Sequence, residues 1–269
     1  MMWKRRCILG ICLGEIEGHN NMTRMKFMNI EIDNLTMQEA IKKIDELIKK
    51  DNCSYVVTPN VDHIVQVEND LELKEVYKNA SLILTDGKPL IWISQYYKSP
   101  IKEKISGSDL FPKICQLAQK KKYTLYFLGA GPGIAKRAAD NLIKKYPGLQ
   151  IVKTYSPSYG FEKKPEEVNK IIEDINKYNP DILIVGLGCP KQEKFIYKYH
   201  RELNVPLSLG LGASLDFEAG NIKRAPKWVS NIGFEWLYRI FQDPKRLAKR
   251  YLIDDIKIAK LIRKYKQVR

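Results

Sequence analysis

Between residues 25 and 222, short apolar runs alternate with longer amphipathic stretches, and this alternation restricts the possible folds more than any other feature of the chain. The runs "SYVV", "SLIL", "YTLYFLG", "LQIVKTY", "DILIVGLG" and "PLSLGLG" are short, rich in β-branched, leucine and aromatic residues, and mostly closed by glycine or turn residues. Between them lie segments of helical periodicity such as "TMQEAIKKIDELIKK", "SDLFPKICQLAQKKK" and "PEEVNKIIEDINKY". Continuous apolar strands separated by helices build sheets whose two faces are both covered. The chain is therefore expected to be α/β, with a largely parallel sheet flanked by helices, while periodicity leaves the strand order open. "MKFMNIEI" reads as one further strand ahead of a first helix capped near Asn34 or Thr36.

After Lys223 the strand signals stop. Val229, Ile232, Trp236, Leu237, Ile240 and Phe241 fall at helical spacing, and Asp243-Pro244 interrupts the run before a second helix. Residues 223–269 hold 14 Lys and Arg against 4 Asp and Glu, which accounts for +10 of the net charge of +15. A basic, aromatic, amphipathic segment of this kind either packs on a core or lies on an anionic membrane surface. No stretch reaches the roughly 20 apolar residues that span a bilayer. Residues 1–24 read as a disordered extension, with Met22 or Met25 as the start of the folded chain. That leaves an α/β core over 25–222 and a helical appendage over 223–269. Five scattered cysteines and three unpaired histidines suggest neither a disulfide framework nor a metal site.

The chemistry concentrates at the strand exits. "LTDG" puts Asp86 where a buried strand opens to the surface, and an Asp-Gly pair there is either turn chemistry or a catalytic carboxylate. "LGAGPGIA" sets Gly129 and Gly131 in a turn that leads into a helix, suited to phosphate. Its spacing departs from the dinucleotide fingerprint, and the next strand ends in Lys153-Thr154 rather than an acid. "VGLGCPKQEKF" repeats the pattern with Gly186, Gly188, Lys191 and Gln192, "LGLGASLDFEAGNIKRAP" adds Asp216 and Arg224, and "VVTPN" adds Thr58 and Asn60. The last four exits on one sheet edge, together with the Asp86 carboxylate, suit transfer of a group from a nucleotide diphosphate.

The blocks "TPNVDH", "LTDG", "ISGSDL", "GLGCPKQEKF", "GASLDFEAGNIKRAP" and "GFEWLYRIFQDPKRLAKRY" stand in this order. Together they resemble the TagA/WecG/CpsF glycosyltransferases over about residues 27–252. The resemblance implies a Rossmann-like core with a C-terminal membrane-targeting appendage, needing no cofactor and no metal. It implies an inverting hexosyltransferase, peripheral on the cytoplasmic face of the membrane. The substrates would be a UDP-sugar donor and a polyprenyl-diphosphate-linked GlcNAc acceptor. In the TagA-like branch the sugar is N-acetylmannosamine, moved from UDP-ManNAc to GlcNAc-diphospho-undecaprenol for the wall teichoic acid linkage unit. UDP-ManNAcA or a hexose donor serving another surface polysaccharide is the alternative.

The resemblance also carries roles. Asp86 would be the general base, with Thr58, Asn60 and Gln192 in the same pocket. Arg239 and Arg246 would fold over the site from the appendage, with Lys249 and Arg250 able to supply a third charge. Lys104 stands where the family pattern has arginine, keeping the charge but losing the bidentate fork. No Asp-x-Asp motif stands at a strand end, in keeping with a metal-free transfer. An apolar appendage detached from lipid would also favour homo-oligomers. The rival readings are a nucleotide-dependent oxidoreductase, from the "GAGPG" turn, and a nucleic-acid platform, from the basic aromatic appendage. Neither accounts for the four polar exits together with the appendage, so no nucleic-acid partner is expected.

Overall fold

The computed structural model describes residues 24–266; the side chains of Lys227, Asn231, Arg246, Ile253 and Asp254 are not among the described groups. Cys7, Cys12 and the expected extension lie outside the described residues, apart from Arg24, which opens the first strand. β1 (Arg24–Phe27) and β2 (Ile30–Asp33) form an antiparallel hairpin, so the single strand expected over "MKFMNIEI" is two. Folding back at Met28 sends Phe27, Met28, Ile30 and Ile32 into one core cluster. An extended strand would have pointed alternate side chains to opposite faces.

The chain continues as α1 (Met37–Lys50), β3 (Ser54–Val57), α2 (Val61–Val67), α3 (Leu71–Lys78), β4 (Leu82–Ile83), α4 (Lys88–Tyr96), α5 (Gly107–Lys121), β5 (Thr124–Gly129) and α6 (Ile134–Lys145). It goes on through β6 (Gln150–Tyr155), α7 (Pro165–Tyr178), β7 (Ile182–Gly186), α8 (Lys191–Leu203), β8 (Leu207–Gly210) and α9 (Ser214–Glu218). Thr36 starts α1 with a capping box to Glu39, which settles the cap between the two expected positions. β3 to β8 form one parallel sheet in the order β4-β3-β8-β7-β5-β6. Alternate side chains feed two cores. Tyr55, Val57, Tyr126, Leu128, Leu183 and Val185 pack under the hairpin, α2, α3, α7 and α8. Val56, Leu125, Phe127, Ile182 and Ile184 pack under α1, α5 and α6. The order brings β3, β8 and β7 together at the centre, so their C-terminal exits open onto one edge, as ligand sites of open α/β sheets require.

The appendage is α10 (Lys227–Asn231), α11 (Glu235–Gln242), α12 (Pro244–Lys249), a π turn over Arg250–Asp254, a short 3₁₀ turn and α13 (Ile258–Lys266). The last helix returns to the body. Leu261 is buried in the first core with Ile258, Ile262 and Tyr265 beside it, and Tyr97 Oη donates to the Ile262 carbonyl at 2.9 Å. Lys264 and Tyr265 both reach Glu68, at 2.6 and 3.0 Å. Among the described residues, no helix is long and apolar enough to cross a membrane.

The hairpin also closes a sheet edge. The two-residue edge strand β4 presents the Ile83 N–H, which donates to Asp33 Oδ2 at 2.8 Å, while Arg24 grips the same carboxylate with two bonds of 2.9–3.0 Å. Asp33→Ala leaves the buried Ile83 N–H unpaired and takes the counter-charge from Arg24, which keeps the Ala80 and Ser81 carbonyls. Urea unfolding is expected to show a loss of roughly 2–4 kcal/mol, with Asp33→Asn between the two.

Candidate active site

A cleft of about 540 Å³ opens at the C-terminal edge of β3, β4, β7 and β8. Thr58 and Asn60 enter it from the β3 exit, Asp86 from the β4 exit, and Gly188 and Gln192 from the β7 exit. Lys104 joins them ahead of α5, and Arg239 and Arg250 come from the appendage. A second cleft of about 690 Å³ lies alongside. Its lining includes Gly131, Gly186, Lys191 and Asp216. Gly188, Cys189, Gly212, Ala213 and Arg239 line both clefts and form their common wall.

Asp86 sits half-buried in the first cleft. Burial, and then the neighbouring Glu235, raise its carboxyl to about 6, against the pull of Lys104, Arg239 and His63. Lys104 makes a 3.0 Å ion pair with Asp109 and reaches Ser230 Oγ at 3.4 Å. Ser230 in turn donates to Glu235 at 2.9 Å, so a chain of polar groups ties the start of α5 to the appendage. Burial opposes ionisation of Asp109, yet Ser106, Lys104 and Arg224 hold its carboxyl down to about 2.

Gln192 is buried. Its Oε1 accepts the N–H of Gly188 at 3.1 Å and of Gly212 at 3.0 Å, and its Nε2 donates to Glu193 at 2.7 Å. Asn60 caps α2 and also accepts from Arg250 Nη2 at 3.2 Å. Among the expected phosphate residues, Gly129 is held by packing: a Cβ there would lie 2.5 Å from the Gly186 carbonyl oxygen, and its φ is +114°. Lys191 pairs with Glu162 at 2.9 Å and lies over the Tyr159 ring, on the second cleft. Asp216 accepts from Asn221 at 2.9 Å, also on the second cleft. Arg224 lines neither cleft; it pairs with Asp109 and donates to Ser108 at 3.2 Å. Arg246 falls in α12, its side chain outside the described groups.

Several site residues were not singled out by the sequence. His63 and Glu235 lie inside quoted motif blocks, but their spacing looks like ordinary helix-start composition. Tyr159, 96% exposed on the rim of the second cleft, stands in the "SPSYG" loop after β6, where the only signal is turn grammar. Asp62, His63 and Cys189 bring metal-type donors within 4.8 Å of one another. Those donors already have protein partners: Asp62 is paired with Arg250 at 3.2 Å, and the ring nitrogens of His63 face Asn60 and Glu193.

A carboxyl group with a raised pKa, cations brought in by an appendage, and bare glycine backbone at parallel strand exits suit a group-transfer enzyme for phosphate-bearing substrates. Residues 25–269 match the glycosyl transferase WecG/TagA/CpsF family, and the chain belongs to it. Among its relatives is the N-acetylglucosaminyldiphosphoundecaprenol N-acetyl-β-D-mannosaminyltransferase of Bacillus subtilis strain 168, 31% identical over 71% of this chain and 72% of that protein. The protein of that name from Staphylococcus aureus strain MW2 is 27% identical over 94% of this chain and 99% of its own length.

The raised Asp86 sets a stability test. Its folded pKa lies above the value near 3.8 expected unfolded, so the native state binds the extra proton. The resulting stability is present in full below pH 3.8 and is lost as pH rises through about 6. Asp86→Asn is therefore expected to stabilise the protein at pH 7.5 by up to about 3 kcal/mol, with the gain vanishing below about pH 4, as read by urea unfolding at the two pH values.

Proposed function

We propose that the protein is an inverting, metal-independent transferase that moves N-acetylmannosamine from UDP-ManNAc to GlcNAc-diphospho-undecaprenol, on the cytoplasmic face of the membrane. The observation that carries this reading is the wall shared by the two clefts, with Asp86 on one side and the glycine-rich β5 and β7 exits on the other. The relatives named above support the acceptor and the sugar.

In this reading the second cleft takes the nucleotide. The exposed ring of Tyr159 offers a stacking face, the turn at Ala130-Gly131 offers backbone N–H groups, and Asp216 and Asn221 offer polar contacts. The first cleft takes the acceptor sugar. Asp86 accepts the proton of the attacking hydroxyl as its oxygen bonds to the anomeric carbon. The bond from that carbon to the diphosphate breaks, and UDP leaves with the electron pair. Arg239, on the common wall, meets the charge that grows on the leaving diphosphate, and Lys104 and Arg250 add positive charge to the acceptor side. Leu252 and Ile256, exposed on the rim of the first cleft, give the lipid chain an apolar exit. Trp92, Trp228, Phe234 and Phe241 are exposed large apolar side chains and, with the basic surface, suit an anionic bilayer. Off the membrane the same surface favours homo-oligomers.

UDP release by the purified chain, with UDP-ManNAc, a short-lipid GlcNAc-diphosphate acceptor and EDTA, tests the assignment. Acceptor-dependent release that falls by roughly 10²–10⁴-fold in Asp86→Asn is expected. Release that needs a divalent cation, or survives the substitution, refutes the mechanism; release from a different UDP-sugar in a donor panel corrects the donor alone.

The acid limb of kcat/KM supplies a second check. It is expected near pH 6, where Asp86 loses its proton. Glu235→Gln removes a negative neighbour and should move the limb to lower pH, whereas Arg239→Ala removes a positive one and should move it higher. A limb indifferent to both substitutions assigns the titration to another group.

A further inference from the structure

Beneath the first cleft, His63 and Glu193 are buried side by side, with no role in the proton transfer just described. Glu193 is 1% exposed, its Oε1 lies 3.4 Å from His63 Nε2, and its Oε2 has no hydrogen-bond partner. A carboxyl group taken this far out of water needs a partner to share its charge or proton, and the His63 ring is that partner. The other ring nitrogen of His63 is turned to Asn60. Nδ1 is 2.8 Å from Asn60 Oδ1, closer than the 3.3 Å to the Asn60 backbone N–H. Asn60 Oδ1 also accepts from Arg250 Nη2 at 3.2 Å and from the His63 backbone N–H at 3.4 Å, which identifies it as the amide oxygen. Nε2 thus faces the Glu193 carboxyl, while Nδ1 meets both the Asn60 amide oxygen and the Asn60 backbone N–H that donates to it, so the ring clasps Asn60 through two groups.

The surroundings agree. Burial works against a charge on His63, while Cys189 and Glu193 beside it favour one, and the balance raises its pKa above the usual range. Asp62, the neighbour of His63 in the chain, is balanced by Arg250 Nε at 3.2 Å. The Tyr77 ring closes another side at 6.4 Å. Asp255, also buried, adds negative charge near Arg250.

A continuous line of contacts follows. Gly188 and Gly212 donate to Gln192, Gln192 donates to Glu193, Glu193 faces His63, the His63 ring meets Asn60, and Asn60 receives Arg250. We propose that His63 and Glu193 are a positioning pair: the buried His63 ring, held by Glu193, fixes the Asn60 amide and thereby seats Arg250 and the turn that carries it over the cleft. The proposal rests on the transferase reading for its kinetic consequence, but not for its structural one.

Two variants remove the ring nitrogen that meets Asn60. His63→Gln is neutral and polar, and His63→Phe with Glu193→Gln keeps the packed volume while leaving no lone buried charge. Each is expected to lower kcat about tenfold, with the UDP-sugar KM within about twofold. The loss should shrink to less than about twofold in an Arg250→Ala background, because the pair acts through that arginine. A wild-type rate in either folded variant overturns the proposal, as does a loss of equal size with Arg250 already replaced. Lower thermal stability with kcat unchanged in the folded fraction overturns it too.

Hydrogen exchange over residues 250–257 reads the seating without turnover. Faster exchange in His63→Gln than in the wild type is expected, and unchanged exchange overturns the pair's role whether or not the wild type transfers sugar. Absence of transfer by the wild type itself, with faster exchange in the variant, removes the functional reading and leaves the seating intact.

Discussion

One amide oxygen, Oε1 of Gln192, accepts the backbone N–H of Gly188 after β7 and of Gly212 after β8. Both loops would otherwise bring a bare N–H to the floor of the cleft. The arrangement works only because the surrounding backbone is stripped of side chains. A Cβ on Gly210 would lie 3.0 Å from Gln192 Nε2, one on Gly186 would lie 3.0 Å from the Gly212 carbonyl oxygen, and one on Gly129 would strike the Gly186 carbonyl. Three neighbouring strand exits are therefore drawn into near contact. Their closeness makes a wall thin enough to be shared by two clefts, and the proposed chemistry depends on that wall.

The charges follow from the same layout. Asp86 comes from the sheet, whereas Glu235, Arg239 and Arg250 come from the appendage, and Lys104 is linked to the appendage through Ser230. The site has its full electrostatic character only when the two parts are together. Holding a carboxylate in that cleft works against stability at neutral pH, because the native state favours its protonated form. A group whose pKa is brought close to neutrality accepts a proton more readily than one left near 3.8, which is a physical reason for tolerating the cost.

Much of this was legible in the residues, and the remainder was hidden for identifiable reasons. Apolar runs of four to eight residues set off by helical periodicity announced the parallel sheet, because local pattern reports burial on both faces. Strand order was not legible, since it depends on pairings such as β3 with β8, more than 150 residues apart. The hairpin in "MKFMNIEI" was read as one strand because no glycine or Asn-Gly pair marks the turn at Met28-Asn29. At the site, Thr58, Asn60, Asp86, Lys104, Gln192, Arg239 and Arg250 converge on the first cleft. Lys191 and Asp216 line the second, and Arg224 lines neither. Side chains one helical position apart point to different clefts, and only tertiary packing decides which. Glu193 was legible only as an acid in the first turn of its helix and His63 not at all, because a buried pair is defined by its distance and not by its spacing.

The appendage is held at both ends rather than hung from one. Arg224 and Ser230 tie its start to Asp109 and Lys104, while α13 ties its end into the first core through Leu261 and onto Glu68. Between these anchors the segment presents Trp228, Ile232, Phe241, Leu252 and Ile256 to solvent, with Phe241 78% exposed. A cut after Ile222 would therefore strip a core helix as well as the arginines, so loss of activity on truncation could not separate catalysis from folding. The double anchoring has a mechanical consequence. A strap fixed on either side of the cleft can press its apolar outer face into a bilayer without pulling its arginines away from the site beneath. The cleft is complete with the strap in this position, and the contact of Arg250 with Asn60 is where the strap meets the sheet.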